Sequence, residues 1–88
     1  MEFTVDLSEV KNREDLHEVL KETLSLPSYY GKNLDALYDV LMEIHDPWFV
    51  KFTGTSAARE SLGSYFNTLV ATFDDAHQEG SPVLALWS

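Results

Sequence analysis

The stretch Pro27–Asp39 reads PSYYGKNLDALYD and leads from two tyrosines and a glycine into a predicted helix. Asn33 is a residue type that caps helices through its side chain, and the helix is expected to continue to His45, before Pro47. At about 100° per residue, the pattern predicts two opposite flanks. The apolar flank consists of Leu34, Leu37, Leu41 and Ile44, and the acidic flank consists of Asp35, Asp39 and Glu43.

Stacked carboxylates on one helix flank need a physical reason. Like charges four residues apart cost a helix roughly 0.2–0.5 kcal/mol per pair, and no Lys or Arg occurs between Asn33 and Val50 to offset them. One interpretation is a solvated face on which this small penalty persists. The other is binding, because a carboxylate docked against Arg or Lys in a desolvated groove can contribute about 2 kcal/mol or more.

The flanking sequence predicts three strands. Glu2–Leu7 alternates apolar and polar residues, residues 48–53 (WFVKFT) are aromatic and β-branched, and residues 82–87 (PVLALW) suit a strand covered on both faces.

Three further helices are predicted: one capped by Asn12 and ended by Pro27, one over Ser56–Leu62 ended by Gly63, and one capped by Ser64 and ended by Gly80. The predicted fold is therefore an α/β domain over residues 1–88, in the order β-α-α-β-α-α-β, with a parallel sheet.

The composition and net charge restrict the possible classes of function and ligand. The 88 residues include no cysteine and carry a net charge of -9, so disulfides are excluded and a nucleic-acid ligand is disfavoured. No basic start precedes an apolar run and no long apolar stretch occurs, so we expect a cytoplasmic protein without a membrane partner. The acidic surplus favours a positively charged partner.

The sequence contains no recognisable catalytic or metal-binding motif. The three histidines form no HxxxH pair, and we interpret His17, beside Glu14, Glu18 and Glu22, as part of a solvated helix face. Asp35 and Asp39 could form a hydrolase pair, but an acid–base pair usually needs a buried carboxyl and a substrate pocket, whereas these two lie on a polar helix face. We therefore expect no enzyme activity, no metal and no cofactor.

The motif YYGxNLDALxD, at residues 29–39, resembles the barstar family, intracellular inhibitors of the secreted bacterial ribonuclease barnase. The resemblance extends over nearly the whole chain and is weaker in the second half. Further matching residues are Asp15, Leu16, His17, Leu24, Leu26, Pro27, Phe73, Ala76, Glu79 and Gly80. It implies a three-stranded parallel sheet with about four helices. It also implies that the second helix and its leading loop plug the enzyme's active site, with acidic side chains in place of RNA phosphates.

The resemblance also implies the binding residues. Asp39 would be the central carboxylate, contacting the enzyme's arginines and catalytic histidine, Asp35 the second carboxylate, and Tyr29 the aromatic that packs on that histidine. Gly31 is expected to permit the turn that presents them. The full predicted set is Tyr29, Gly31, Asn33, Leu34, Asp35, Tyr38, Asp39, Met42, Glu43 and Asp75.

Three departures from the family pattern bear on the partner. Tyr38 replaces a common tryptophan, Glu43 stands where barstar has a glycine, and the segment around His45–Pro47 is one residue shorter. The expected partner is a secreted guanyl-preferring microbial ribonuclease, bound 1:1 by a protein that is monomeric when free. The alternatives are an acidic binding module for another basic protein and, less favoured, a carboxylate hydrolase.

Overall fold

Three parallel strands form one sheet in a computed structural model that describes all residues from 1 to 88. The central strand β2 (Trp48–Thr53) lies between β1 (Glu2–Asp6) and β3 (Val83–Trp87). Helices α1 (Arg13–Thr23) and α2 (Leu34–Glu43) connect β1 to β2, and α3 (Thr55–Leu62) and α4 (Ser64–Gln78) connect β2 to β3. The predicted order and the parallel α/β class are confirmed.

Only one face of the sheet is buried. Phe3 pairs with Val50 and Val5 pairs with Phe52, and the alternate residues of each strand point to the helices. On the other face Thr4, Lys51 and Leu86 follow one another across the three strands and are exposed. The helices therefore form a single layer, in which α2 packs against α4, and the core lies between this layer and the sheet.

The prediction that residues 82–87 are covered on both faces is wrong. β3 pairs only with β2, and its alternate residues Leu84 and Leu86 are 51% and 47% exposed. The run looks continuous because its other side chains, Val83, Ala85 and Trp87, pack on the core. An apolar run alone does not distinguish a strand buried on both faces from a strand of a one-sided sheet with apolar solvent-facing residues.

Several predicted helix ends need correction. Asn12 and Asn33 do cap α1 and α2, each accepting a hydrogen bond from a backbone N–H three residues on. However, α1 ends at Thr23, well before Pro27, and α2 ends at Glu43 because Ile44 is extended. Ser64 is no cap: it is the first residue of α4, and Gly63 precedes it without a side-chain cap.

A cluster of aromatic rings joins the carboxyl ends of β2 and β3 to α4. Phe52 stacks on Trp87 with ring centroids 4.0 Å apart and an interplanar angle of 6°, and it meets Phe73 edge-on at 5.2 Å. Phe66 packs against the same tryptophan at 5.7 Å. Such pairs of aromatic rings contribute about 0.5–1.5 kcal/mol each beyond area burial. The cluster therefore fixes α4, the helix against which α2 packs.

None of the four helices combines the length and apolar character that a membrane span requires.

The turn after β2 depends on Gly54. Its φ is +68°, and a Cβ built on it would lie 2.7 Å from the backbone nitrogen of Ser8, in the turn that follows β1. The two loops at this end of the sheet thus cross in backbone contact, which only glycine allows at this position.

We expect Gly54→Ala to destabilise the fold by about 2 kcal/mol or more, because it combines an unfavourable left-handed conformation with a backbone clash. Gly80→Ala is the control, since Gly80 has φ +110° but open space around a built Cβ. Urea unfolding measures both. A loss for Gly54→Ala no larger than that for Gly80→Ala would contradict the close approach at Ser8.

Candidate functional site

Helix α2 presents its carboxylates to solvent because its other flank is buried. Leu37 and Leu41 are fully buried, whereas the acidic stripe, defined as Asp35, Asp39 and Glu43, is exposed along the helix at one residue per turn. The predicted opposition of apolar and acidic flanks is thus present.

Both ends of α2 are held by side-chain hydrogen bonds. At the start, the Asn33 Oδ1 accepts from the Ala36 N–H at 2.8 Å, and the Asn33 Nδ2 donates to the Gly31 carbonyl at 3.2 Å. At the other end, the buried Ser81 hydroxyl donates to the Leu41 carbonyl at 2.8 Å. These bonds limit fraying of a ten-residue helix, so the acidic stripe keeps a fixed position relative to the sheet.

The loop before α2, residues 25–33, is held by a buried hydrogen-bond chain. Tyr29 is 73% exposed, whereas its neighbour Tyr30 is 5% exposed. The Tyr30 Oη lies 2.5 Å from the His17 Nδ1, and the His17 Nε2 lies 2.7 Å from the Tyr65 Oη. Helices α1 and α4 are thereby joined to the loop, and Tyr29 is presented beside the acidic stripe.

The interpretation of His17 as part of a solvated helix face is wrong. His17 is 1% exposed and makes two hydrogen bonds to tyrosines. The signal was present in the sequence, because His17 precedes Leu20 by three residues and Leu24 by seven, which places it on the apolar stripe. Tyr65 and Ser81, which hold the loop and α2 in place, have no comparable signal because their partners are distant in sequence.

Burial shifts the pKa values of the hydrogen-bonded residues Tyr30, His17 and Tyr65. Desolvation lowers the pKa of His17, since the imidazolium would lose its hydration, and desolvation raises the pKa of Tyr30 and of Tyr65. The nearby Arg13 guanidinium, whose central carbon lies 4.2 Å from the Tyr65 ring centroid, opposes that last shift. A neutral imidazole donates through one nitrogen and accepts through the other, so it satisfies both hydroxyls.

Gly31 lies in the turn before α2 without a positive φ. The left-handed conformation occurs at Lys32, with φ +54°. Gly31 instead allows a close approach, because a Cβ at that position would lie 3.2 Å from the Ala36 Cβ. The Lys32 ammonium pairs with Glu18, which raises the pKa of Lys32 and lowers that of Glu18 through the hydrogen bond and the opposite charges.

A shallow groove of about 320 Å³ brings four of the ten predicted residues together. They are Tyr29, Gly31, Asp39 and Glu43, and the rest of the lining is Tyr30, Ala36 and Val40. Asn33 and Asp35 are exposed near the start of α2, while Leu34, Tyr38 and Met42 are half-buried on α2. Asp75 is exposed on α4, which packs against α2, but it does not line the groove.

The carboxylates of the acidic stripe have no cationic partner in the chain. The single ion pair of the protein is Lys32 with Glu18, which engages the one basic side chain near the start of α2. No group of three or more His, Asp or Glu side chains is arranged to hold a metal ion. The site therefore offers fixed, uncompensated negative charge beside an exposed aromatic ring.

Comparison with known proteins identifies the class. A model of the Barstar family, described as barstar (barnase inhibitor), matches residues 1–85. The chain is also 36% identical over 76 residues to the Bacillus subtilis (strain 168) protein named "Putative ribonuclease inhibitor YrdF". The matched residues make up 85% of this chain and 84% of that protein. This chain belongs to the barstar family, and that membership supports the role of a ribonuclease inhibitor.

We expect the stability of the protein to decline as the pH falls below about 6.5, before most carboxylates titrate. Because the pKa of His17 is lowered in the folded state, the unfolded chain takes up this proton first, and the free energy of unfolding falls between pH 6.5 and the lower native pKa. Urea unfolding between pH 5 and 8 measures this dependence.

Two variants assign the effect to His17. His17→Phe should be less stable at every pH, because both tyrosine hydroxyls lose their partner, but it should lose this part of the pH dependence. His45→Gln, at an exposed histidine, should keep it. A parental slope in His17→Phe would show that another group is responsible.

Proposed function

We propose that this protein, acting as one domain over residues 1–88, inhibits a secreted guanyl-preferring microbial ribonuclease. Helix α2 and the 25–33 loop block the enzyme's active site, where Asp35 and Asp39 mimic RNA phosphates. The observation that carries the proposal is the stripe itself: three exposed carboxylates without cationic partners on a helix held at both ends.

A ribonuclease active site is the kind of surface that this arrangement fits. An enzyme that binds a polyanion must place cationic side chains in a cleft, and carboxylates can replace phosphates there through charge-assisted hydrogen bonds. By the family resemblance, Asp39 takes the central phosphate position and Asp35 the second, with Tyr29 against the catalytic histidine. Leu34, Tyr38 and Met42, half-buried on α2, supply the apolar part of the contact, and Asp75 is peripheral.

Rigidity favours the proposed mode of binding. Association normally costs free energy to order loops and side chains, and that cost falls when the bound conformation exists beforehand. Here Tyr30 ties the loop to His17, and Asn33 ties the same loop to α2. The acidic stripe also favours fast encounter, because opposite charges attract through solvent before contact.

The proposal includes where the inhibitor acts and how many molecules bind. The inhibitor acts in the cytoplasm of the producing cell on enzyme that has not been exported, binds it 1:1, is a monomer when free and uses no cofactor. The barnase–barstar complex is itself one of the systems in which strong contributions of single carboxylates to binding, and electrostatic steering, are known.

Titration of the purified protein into guanyl-preferring ribonucleases, barnase among them, should abolish RNA cleavage by a cognate enzyme near one equivalent. The association rate should fall steeply as salt rises, because the charges are exposed and therefore screened. Stopped-flow fluorescence measures that rate. Failure to inhibit any enzyme of this class would favour the alternative, an acidic module for another basic protein.

Asp39→Ala should weaken inhibition by about 2 kcal/mol or more, since the loss leaves cationic groups of the enzyme unpaired. Its folding should be unchanged or slightly improved, because like-charge repulsion along α2 decreases. Asp46→Ala, at an exposed acid beyond the end of α2, is the matched control and should inhibit nearly as well as the parent. Equal inhibition by Asp39→Ala and the parent would rule out the assigned mode.

A further inference from the structure

A second groove also borders Tyr29. It encloses about 280 Å³, and its apolar walls include Leu26, Pro27, Ile44 and Trp48. It shares Tyr29, Val40 and Glu43 with the groove that contains Asp39, so the two grooves adjoin. A groove of this size can accommodate one long side chain.

The only charged residue in this second groove is Glu43. The Glu43 carboxylate forms no ion pair in the chain, and Glu43 is exposed. No Lys or Arg lines either groove. A groove with apolar and aromatic walls and one free carboxylate is complementary to a long side chain with an apolar stem and a cationic end.

We propose that the second groove binds one lysine or arginine side chain of the inhibited ribonuclease, with Glu43 as its counter-charge. The inference rests on the proposed function. The aliphatic stem packs between Pro27 and Ile44, and the ammonium or guanidinium group pairs with the Glu43 carboxylate. The aromatic rings of Tyr29 and Trp48 add favourable contact for a cation.

Other occupants fit less well. A neutral apolar side chain would desolvate Glu43 without providing a counter-charge, and an acidic one would be repelled by it. The basic residue must lie just outside the phosphate site of the ribonuclease, because the second groove adjoins that of Asp39. Glu43 is therefore a specificity-determining residue: it favours ribonucleases with a basic side chain at this place and disfavours those without one.

The test compares Glu43→Gln with Glu60→Gln, an exposed glutamate on α3 that lines neither groove. The probe is the guanyl-preferring ribonuclease that the parent inhibits most strongly in a panel that includes barnase. Glu43→Gln should inhibit it about tenfold or more weakly, since a charge-assisted contact is lost, whereas Glu60→Gln should match the parent. Each Lys and Arg of that enzyme is then replaced by alanine in turn. One replacement should weaken inhibition by the parent without further weakening inhibition by Glu43→Gln.

The outcomes separate this proposal from the proposed function. If Glu43→Gln inhibits like the parent while Asp39→Ala does not, the groove proposal is wrong and the inhibitor role stands. A loss for Glu43→Gln that couples to no basic residue of the enzyme also overturns the groove proposal. If the parent inhibits no ribonuclease of the panel, both proposals fall.

Discussion

Burial of one flank of α2 is the constraint on which the surface depends. Leu37, Val40 and Leu41 are buried in the core, and α2 packs against α4, so the helix cannot rotate without exposing apolar side chains. This fixes Asp35, Asp39 and Glu43 on the solvent side despite their mutual repulsion. A penalty of a few tenths of a kcal/mol per pair is small beside the burial of three apolar side chains.

The second constraint is the connection between the loop and the core. Two adjacent tyrosines have opposite environments: Tyr30 bonds to a buried histidine, and Tyr29 projects into solvent. Because α1, α4 and the loop meet at His17, the position of Tyr29 depends on a buried residue that cannot itself touch a partner. Substitutions at His17 or Tyr65 should therefore affect the geometry of the binding surface as well as stability.

Sequence patterns predicted the fold well because local signals agreed with tertiary structure. Asn12 and Asn33 predicted the starts of α1 and α2, and the alternation of residues 2–7 predicted a half-buried strand. The failures occurred where long-range contacts decide. The solvent exposure of Leu84 depends on the absence of a second helix layer on its face of the sheet, where Lys51 of the central strand is exposed as well. The helical spacing of His17 indicated burial, but its hydrogen-bond partners lie 13 and 48 residues away in sequence.

The candidate site was predicted in outline by its motif, but its arrangement was not. The motif did not indicate that Tyr29 and Glu43 both border two adjoining grooves. It also did not indicate that Lys32 adopts the left-handed conformation in the turn that contains Gly31. These features depend on how the loop packs against α2.

The most direct test of the central claim is a crystal structure of the protein bound to the ribonuclease that it inhibits most strongly. We expect α2 to lie across the active site, with the Asp39 carboxylate among the enzyme's phosphate-binding side chains and Asp35 at the adjacent cationic position. A complex in which both carboxylates remain in solvent, and another surface contacts the enzyme, would contradict it.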